Sequence, residues 1–273
     1  MKNINLYYRT KHNNFGDIIN PLIINKIFDI NVNNKKPYHL IAIGSILDSF
    51  LRKRSLPLNY IKNYGRTLNV WGSGFISENK SAVEKFDYNL HFIAVRGNLT
   101  KNRINKIYKN KFNNILCGDP GLLINKVFPK KEFKKYHYGL IPHFVDKNLN
   151  IVKELSLSLK NSVIIDITSK PNEVVKKIKN CDFILSSCLH GLVAADSFKI
   201  PSIWCKFSNN VLGNDYKFYD YYSGFTKRKI NKLDFTKNSY SLSNIENLFK
   251  DEGYDFKEID LIEKNLINSF PFK

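Results

Sequence analysis

Nowhere does this chain hold an apolar run near the roughly 20 residues that a membrane-crossing helix needs, so no such helix is expected. Its four cysteines, Cys117, Cys181, Cys188 and Cys205, form no Cys-x-x-Cys and no paired spacing, which argues against a disulfide framework and against a zinc cluster. The first residues, Met-Lys-Asn-Ile-Asn-Leu-Tyr-Tyr-Arg-Thr, lack the apolar core and cleavage site of a secretory signal. A cytoplasmic location is therefore expected, with peripheral contact at the inner membrane face kept open. Acidic residues are scarce, 24 against 43 Lys and Arg, leaving a net charge of +19. That excess reads either as attraction to an anionic partner or as a solvated Lys surface of the kind A+T-rich codon usage produces. Nothing resembles a helix-turn-helix, a zinc finger or an RNA-binding aromatic signature, so nucleic acid is not an expected partner.

What is present is a globule: 43% of the 273 residues are hydrophobic and 14% aromatic, enough for one large domain or two modest ones. Short apolar runs alternate with helical segments, the pattern of a parallel sheet covered on both faces. Strands are expected at 4–8, 40–43, 68–71, 92–95, 115–117, 138–141, 163–167, 183–185 and 203–205. Helices are expected near 18–28, 99–108, 149–159, 172–179 and 189–198. The apolar pattern lapses around Lys130, Lys131, Lys134 and Lys135, which sets a boundary between a first lobe, 1–129, and a second, 130–273. Beyond Cys205 the strand pattern stops, and a helical tail follows an aromatic and basic run from Tyr216 to Lys232.

Polar residues recur at the carboxyl ends of these strands, where open α/β sheets bind ligands. Asp182 to Trp204 is the strongest instance: a strand, a turn at Ser186-Ser187, and a small-residue helix with Ser187 as its N-cap and His190 in its first turn. Its first N–H groups, from Cys188 to Gly191, suit an anion; alternatively Ser187 merely caps and His190 fills space. Asn14-Phe15-Gly16-Asp17 follows the first strand, as ligand contacts around Gly16 or as an Asx turn with Asp17 as N-cap. Arg96 offers a rigid fork of donors for phosphate or carboxylate, or an ordinary salt bridge. Asp119 reads as a general base or a turn residue, and His143 as a cleft or a structural histidine.

Taken in order, Asn14-x-Gly16-Asp17, Gly72-Ser73-Gly74, Ala94-Val95-Arg96-Gly97, Gly118-Asp119-Pro120-Gly121, Gly139-Leu140-Ile141-Pro142-His143 with Asp146, and Ser186-Ser187-Cys188-Leu189-His190-Gly191 resemble the polysaccharide pyruvyl transferase family. The resemblance implies two Rossmann-like lobes in a GT-B-like arrangement. It also implies transfer of pyruvate from phosphoenolpyruvate onto two hydroxyls of a sugar as a cyclic ketal, with no cofactor. The acceptor would belong to a capsule, exopolysaccharide or cell-wall unit, often lipid-linked.

The chemistry assigns His190, Asp17 and Asp119 to catalysis, and Asn14, Gly16, Arg96, His143, Ser187, Cys188 and Gly191 to substrate binding. Many members carry Arg where this chain has Cys188, so Arg96, a nearby Lys or the helix start must supply the missing phosphate contact. A Cys188 nucleophile is disfavoured because residues two apart on a helix do not face each other. The Tyr216–Lys232 run, with Lys227-Arg228-Lys229, is the candidate acceptor or membrane contact, or else a packed tail. Rival readings are a GT-B glycosyltransferase with Asp166 on a nucleotide ribose, and a non-catalytic binding protein.

Overall fold

A computed structural model describes residues 2–10, 14–51, 67–78, 86, 88–112, 114–250 and 256–273. Within them the apolar runs pair into two all-parallel sheets. Strand β1 (Lys2–Tyr7) leads through helix α1 (Phe15–Phe28) to the edge strand β2 (Ile30–Asn33). The chain then crosses to the other side of β1 and lays down β3 (Leu40–Ile41), β4 (Thr67–Ser73), β5 (Asn89–Val95) and β6 (Leu116–Cys117), giving the order β2-β1-β3-β4-β5-β6. Helix α2 (Asn98–Ile107) joins β5 to β6, and a 3-10 turn (Pro120–Leu123) with the short α3 (Ile124–Val127) closes this half.

The second half repeats the plan. Strand β7 (Tyr136–Ile141), α4 (Asn150–Ser158) and β8 (Ser162–Ile164) run outward on one side. On the other side follow α5 (Pro171–Lys179), β9 (Cys181–Ser186), α6 (Leu189–Ser197), β10 (Ser202–Lys206), α7 (Tyr216–Tyr222) and β11 (Lys232–Asp234), in the order β11-β10-β9-β7-β8. This is the α/β, Rossmann-like class expected from the alternating pattern. In each sheet the chain reverses direction once, between β1 and β3 and between β7 and β9. Loops leaving the carboxyl ends of such neighbours diverge to opposite faces and open a crevice between them.

Packing follows from which faces are apolar. On α5, Val174, Val175 and Ile178 are buried while Lys176 and Lys177 face water. Helix α6 differs, for all nine of its residues are buried. Its Leu192 and Val193 share one apolar cluster with Leu122 and Leu123 of the first half and Ile141 and Ile184 of the second, so the two sheets rest on a common core.

Several elements depart from expectation. Helix α1 starts at Phe15, not near Ile18, because Asn14 takes the N-cap position; its carbonyl accepts the N–H groups of Asp17 (3.0 Å) and Ile18 (3.1 Å). Pro21 therefore lies inside the helix and not in its first turn, where, having no N–H, it cannot donate the usual helical hydrogen bond. The sheet does not stop at Cys205: β11 pairs with β10, and β2 was likewise unmarked. After α8 (Leu242–Lys250), helix α9 (Phe256–Ser269) returns to the first sheet, where Trp71 Nε1 donates to the Leu266 carbonyl (3.1 Å) and Phe270 stacks on Phe28 at 3.8 Å. No described helix is long and apolar enough to cross a membrane.

Candidate active site

A cleft of about 730 Å³ opens above both chain reversals. Tyr7 to Thr10 after β1, Asn14 and Asp17 at the start of α1, and Gly44 to Ile46 after β3 line it from the first half. From the second half come His143 to Val145 after β7, Cys188 to His190 after β9, and Lys217 from α7. Five of the expected site residues thus meet in one place: Asn14, Asp17, His143, Cys188 and His190.

His190 is the centre of this set. A Cβ placed on Gly16 would overlap its imidazole, so the absence of a side chain there is what lets the first turn of α1 lie against the ring. Behind the ring stands Asp119, fully buried, with its Oδ2 3.9 Å from His190 Nε2. Neither atom has a hydrogen-bond partner among the described residues, and 3.9 Å is too long for one between them. The other carboxylate oxygen of Asp119 accepts the Gly121 N–H (2.9 Å) and caps the 3-10 turn. Burial pushes the Asp119 carboxyl up to about 6, against the pull of that N–H and of Arg96. Burial, reinforced by the charges of Lys217, Arg96 and His143, brings His190 down to about 3. Asp119 therefore does not line the cleft; it supports the histidine that does.

On the opposing wall Asn14 Nδ2 donates to Asp17 Oδ2 (3.1 Å), while Asn14 Oδ1 is buried without a donor among the described residues. His143 is fixed through its backbone, whose N–H donates to Ser187 Oγ (2.8 Å), and its Nδ1 accepts the Val145 N–H (3.4 Å). Burial first, and then Lys217, lowers His143 to about 3.

Ser187 is not the N-cap of α6. That position is Cys188, and Ser187 Oγ instead donates to the buried Asp146 (2.7 Å), whose other oxygen accepts from Ser208 Oγ (2.5 Å). Nor are the N–H groups of Cys188 and Gly191 free. Ser186 Oγ accepts that of Cys188 (3.0 Å), the Cys188 carbonyl accepts that of Gly191 (3.1 Å), and Cys188 Sγ draws on those of His190 and Gly191. Gly191 sits against Ser186 and Ile141, a packing position beneath the helix. Burial raises the Cys188 thiol, which opposes the thiolate that a nucleophile needs.

Arg96 is turned away from the cleft. Its Nε donates to Asp220 (2.9 Å), one terminal nitrogen to the Phe75 carbonyl (2.6 Å) and the other to Ser45 Oγ. Asp220 also accepts the Thr100 N–H and hydroxyl, both at 2.7 Å, and the Asp220 carbonyl occupies the space that a side chain at Gly97 would need. This buried ion pair clamps α7 to the carboxyl end of β5, so Arg96 acts on the cleft through the helix it anchors.

The aromatic run is equally internal. Phe218 stacks on Trp204 at 4.5 Å, Tyr221 donates to Asp196 (2.6 Å), and Arg228 pairs with the same carboxylate. With Arg228 turned inward, Lys227 and Lys229 are the exposed members of the basic triplet. Asp166 accepts from Thr168 and pairs with Lys147 (3.3 Å) outside the cleft, which removes the residue on which the glycosyltransferase reading relied.

Lys217 was not singled out from sequence. It is one turn from Asp220 within Tyr-Lys-Phe-Tyr-Asp-Tyr-Tyr, and that spacing in an aromatic run is the signal that both polar residues are drawn into the interior.

The polysaccharide pyruvyl transferase family model matches residues 2–209. An uncharacterized protein, L143, of Acanthamoeba polyphaga mimivirus is 29% identical over 262 residues, covering 90% of this chain and 84% of its own length.

Proposed function

Since the chain belongs to the polysaccharide pyruvyl transferase family, we propose that it moves pyruvate from phosphoenolpyruvate onto two hydroxyls of a sugar as a cyclic ketal. The acceptor is assigned to a capsule, exopolysaccharide or cell-wall repeat unit, and residues 1–129 and 130–273 to two lobes of a GT-B-like arrangement. The observation that carries the reading is His190, shielded in the cleft between Gly16 and Asp119 and facing the same space as Asp17, His143 and Lys217.

The reaction needs a proton on the methylene carbon of the donor and a sugar oxygen on its C2. Protonation makes C2 cationic, and one hydroxyl adds there as its proton passes to a base. Breakage of the C2–O bond then releases phosphate, and the second hydroxyl closes the ring, its proton leaving with the phosphate. His190 is the proton donor. Near neutral pH it is uncharged in the empty cleft, because burial and the charges of Lys217 and Arg96 suppress it. An anionic donor neutralises those cations, so donor binding draws a proton onto the ring, and Asp119 behind it stabilises the imidazolium. Asp17, on the cleft wall, is the base for the attacking hydroxyl, and Asn14 Oδ1 is an open acceptor for a sugar hydroxyl.

Phosphate release from phosphoenolpyruvate across a panel of glycosides, with the products weighed, tests the proposal. His190→Ala should lower turnover by roughly a hundredfold or more. Near-normal turnover would remove His190 from the chemistry, and release of phosphate without a pyruvylated product would refute the transfer.

A further inference from the structure

Lys217 is 8% exposed; its ammonium lies 5.4 Å from the centroid of the Phe218 ring, and no hydrogen bond or ion pair holds it among the described residues. The two carboxylates whose charges act on it are otherwise engaged. Asp146 accepts from Ser187 and Ser208, and Asp215 pairs with Lys206 (3.1 Å) and Lys232 (3.0 Å). A buried cation without a counter-ion is unfavourable unless a ligand supplies one.

The rest of the fold holds this cation in place. Asn214 and Asp215 adopt left-handed backbone just before α7, Phe218 stacks on Trp204, and Asp220 locks the helix to Arg96 and Thr100. Lys217 lines the cleft together with His143, His190 and Cys188, none of which is positively charged near neutral pH. Arg96, the other buried cation nearby, is fully committed to Asp220, Ser45 and Phe75.

We propose that Lys217 is the residue that binds the phosphate of the donor, as the charged floor of an anion site completed by His143 and His190. Residue 217 lies beyond the matched segment 2–209, on the later helix α7. The inference rests on the pyruvyl-transfer reading for the identity of the donor but not for the existence of the anion site.

The charge on Lys217 is sensitive to pH. Burial is the main cause that brings it down to about 8; Cys188, Asp146 and Asp215 oppose the drop and Arg96 adds to it, with His143 and His190 uncharged beside it. A phosphate monoester is already a dianion there, its second pKa being about 6. Affinity for it should therefore fall above pH 8 as the free protein loses this proton.

The test is calorimetric titration of the whole chain with phosphoenolpyruvate and, separately, with inorganic phosphate, for the wild type, Lys217→Met and Lys217→Arg. Lys217→Met should lose about 10- to 100-fold in affinity for both anions, and Lys217→Arg should keep most of it. The unliganded Lys217→Met protein should melt no lower than the wild type, since the substitution removes an unpaired charge. The wild type should weaken above pH 8 and Lys217→Arg should not. Equal binding by Lys217→Met overturns the assignment and leaves the donor reading standing. Loss of phosphate binding in Lys217→Met, with no wild-type preference for phosphoenolpyruvate, keeps the anion site and sinks the donor. No binding of either anion by the wild type overturns both. Should Lys217→Met fail to fold, Lys217→Arg decides: weakening above pH 8 like the wild type refutes a role for Lys217.

Discussion

Gly16→Ala isolates the contact that joins the two halves of the candidate site. A methyl group at residue 16 would land on the His190 imidazole, deep inside the 3.4–4 Å of ordinary van der Waals contact. Either the ring or the first turn of α1 must then retreat by roughly 1 Å or more. Neither has free room, since the ring is backed by Asp119 and α1 is buried along Phe15, Ile19, Ile23 and Ile24. Overpacking of this kind costs about 1–3 kcal/mol, and a displacement of about 1 Å at a reacting group lowers turnover by about a hundredfold. Gly16 is helical and carries no left-handed backbone, and the three atoms nearest to a side chain there all belong to the ring.

A double-mutant cycle follows. In the His190→Ala background the obstruction is gone, and Ala, a better helix former than Gly by up to about 1 kcal/mol, should stabilise the protein by a few tenths to about 1 kcal/mol. Urea denaturation of the four proteins measures this. A Gly16→Ala change that destabilises the wild type, yet is neutral or stabilising once His190 has been truncated, supports the argument. The same loss in both backgrounds would mean that residue 16 is sensitive for a reason other than the histidine.

Asp220→Asn leaves Arg96 buried without its counter-charge and should lower stability by about 3–5 kcal/mol in urea melts; a loss below about 1 kcal/mol would show that the clamp on α7 does not depend on the ion pair. Acid sensitivity should bear the mark of the two cleft histidines. Unfolding lets His143 and His190 take up protons from about pH 6.5 downward that the folded protein, with both near 3, refuses. Asp119, near 6 when folded, opposes them by holding a proton that the unfolded chain gives up until about pH 3.8. The net excess for the unfolded state is about one proton between pH 4 and 6, a loss of about 1.4 kcal/mol per pH unit on acidification. His190→Ala should flatten that slope, and an unchanged slope in urea midpoints from about pH 6 to 4.5 would refute a neutral, buried His190.

What could be read from sequence, and what could not, divides along a physical line. A parallel strand covered on both faces is a largely apolar run, so β4, β5, β7 and β9 stand out, and the polar residues that follow β7 and β9, with those after β1, line the cleft. Asn14, Asp17, His143 and His190 were legible for that reason. Strand β2 reads Ile-Asn-Val-Asn and β11 only three residues, which is edge-strand chemistry too short or too polar to separate from loop.

The two cations invert the local reading. Arg96 follows a buried strand beside glycines, where an anion-binding arginine is expected, while Lys217 hides among tyrosines and phenylalanines that suggest a packed tail. Which of them lines the cleft depends on one carboxylate, Asp220, 124 residues from Arg96 and one turn from Lys217. Because Asp220 reaches across to the arginine, it leaves its helical neighbour unpaired. The charge that the cleft presents is therefore settled by a pairing that only the folded chain brings together.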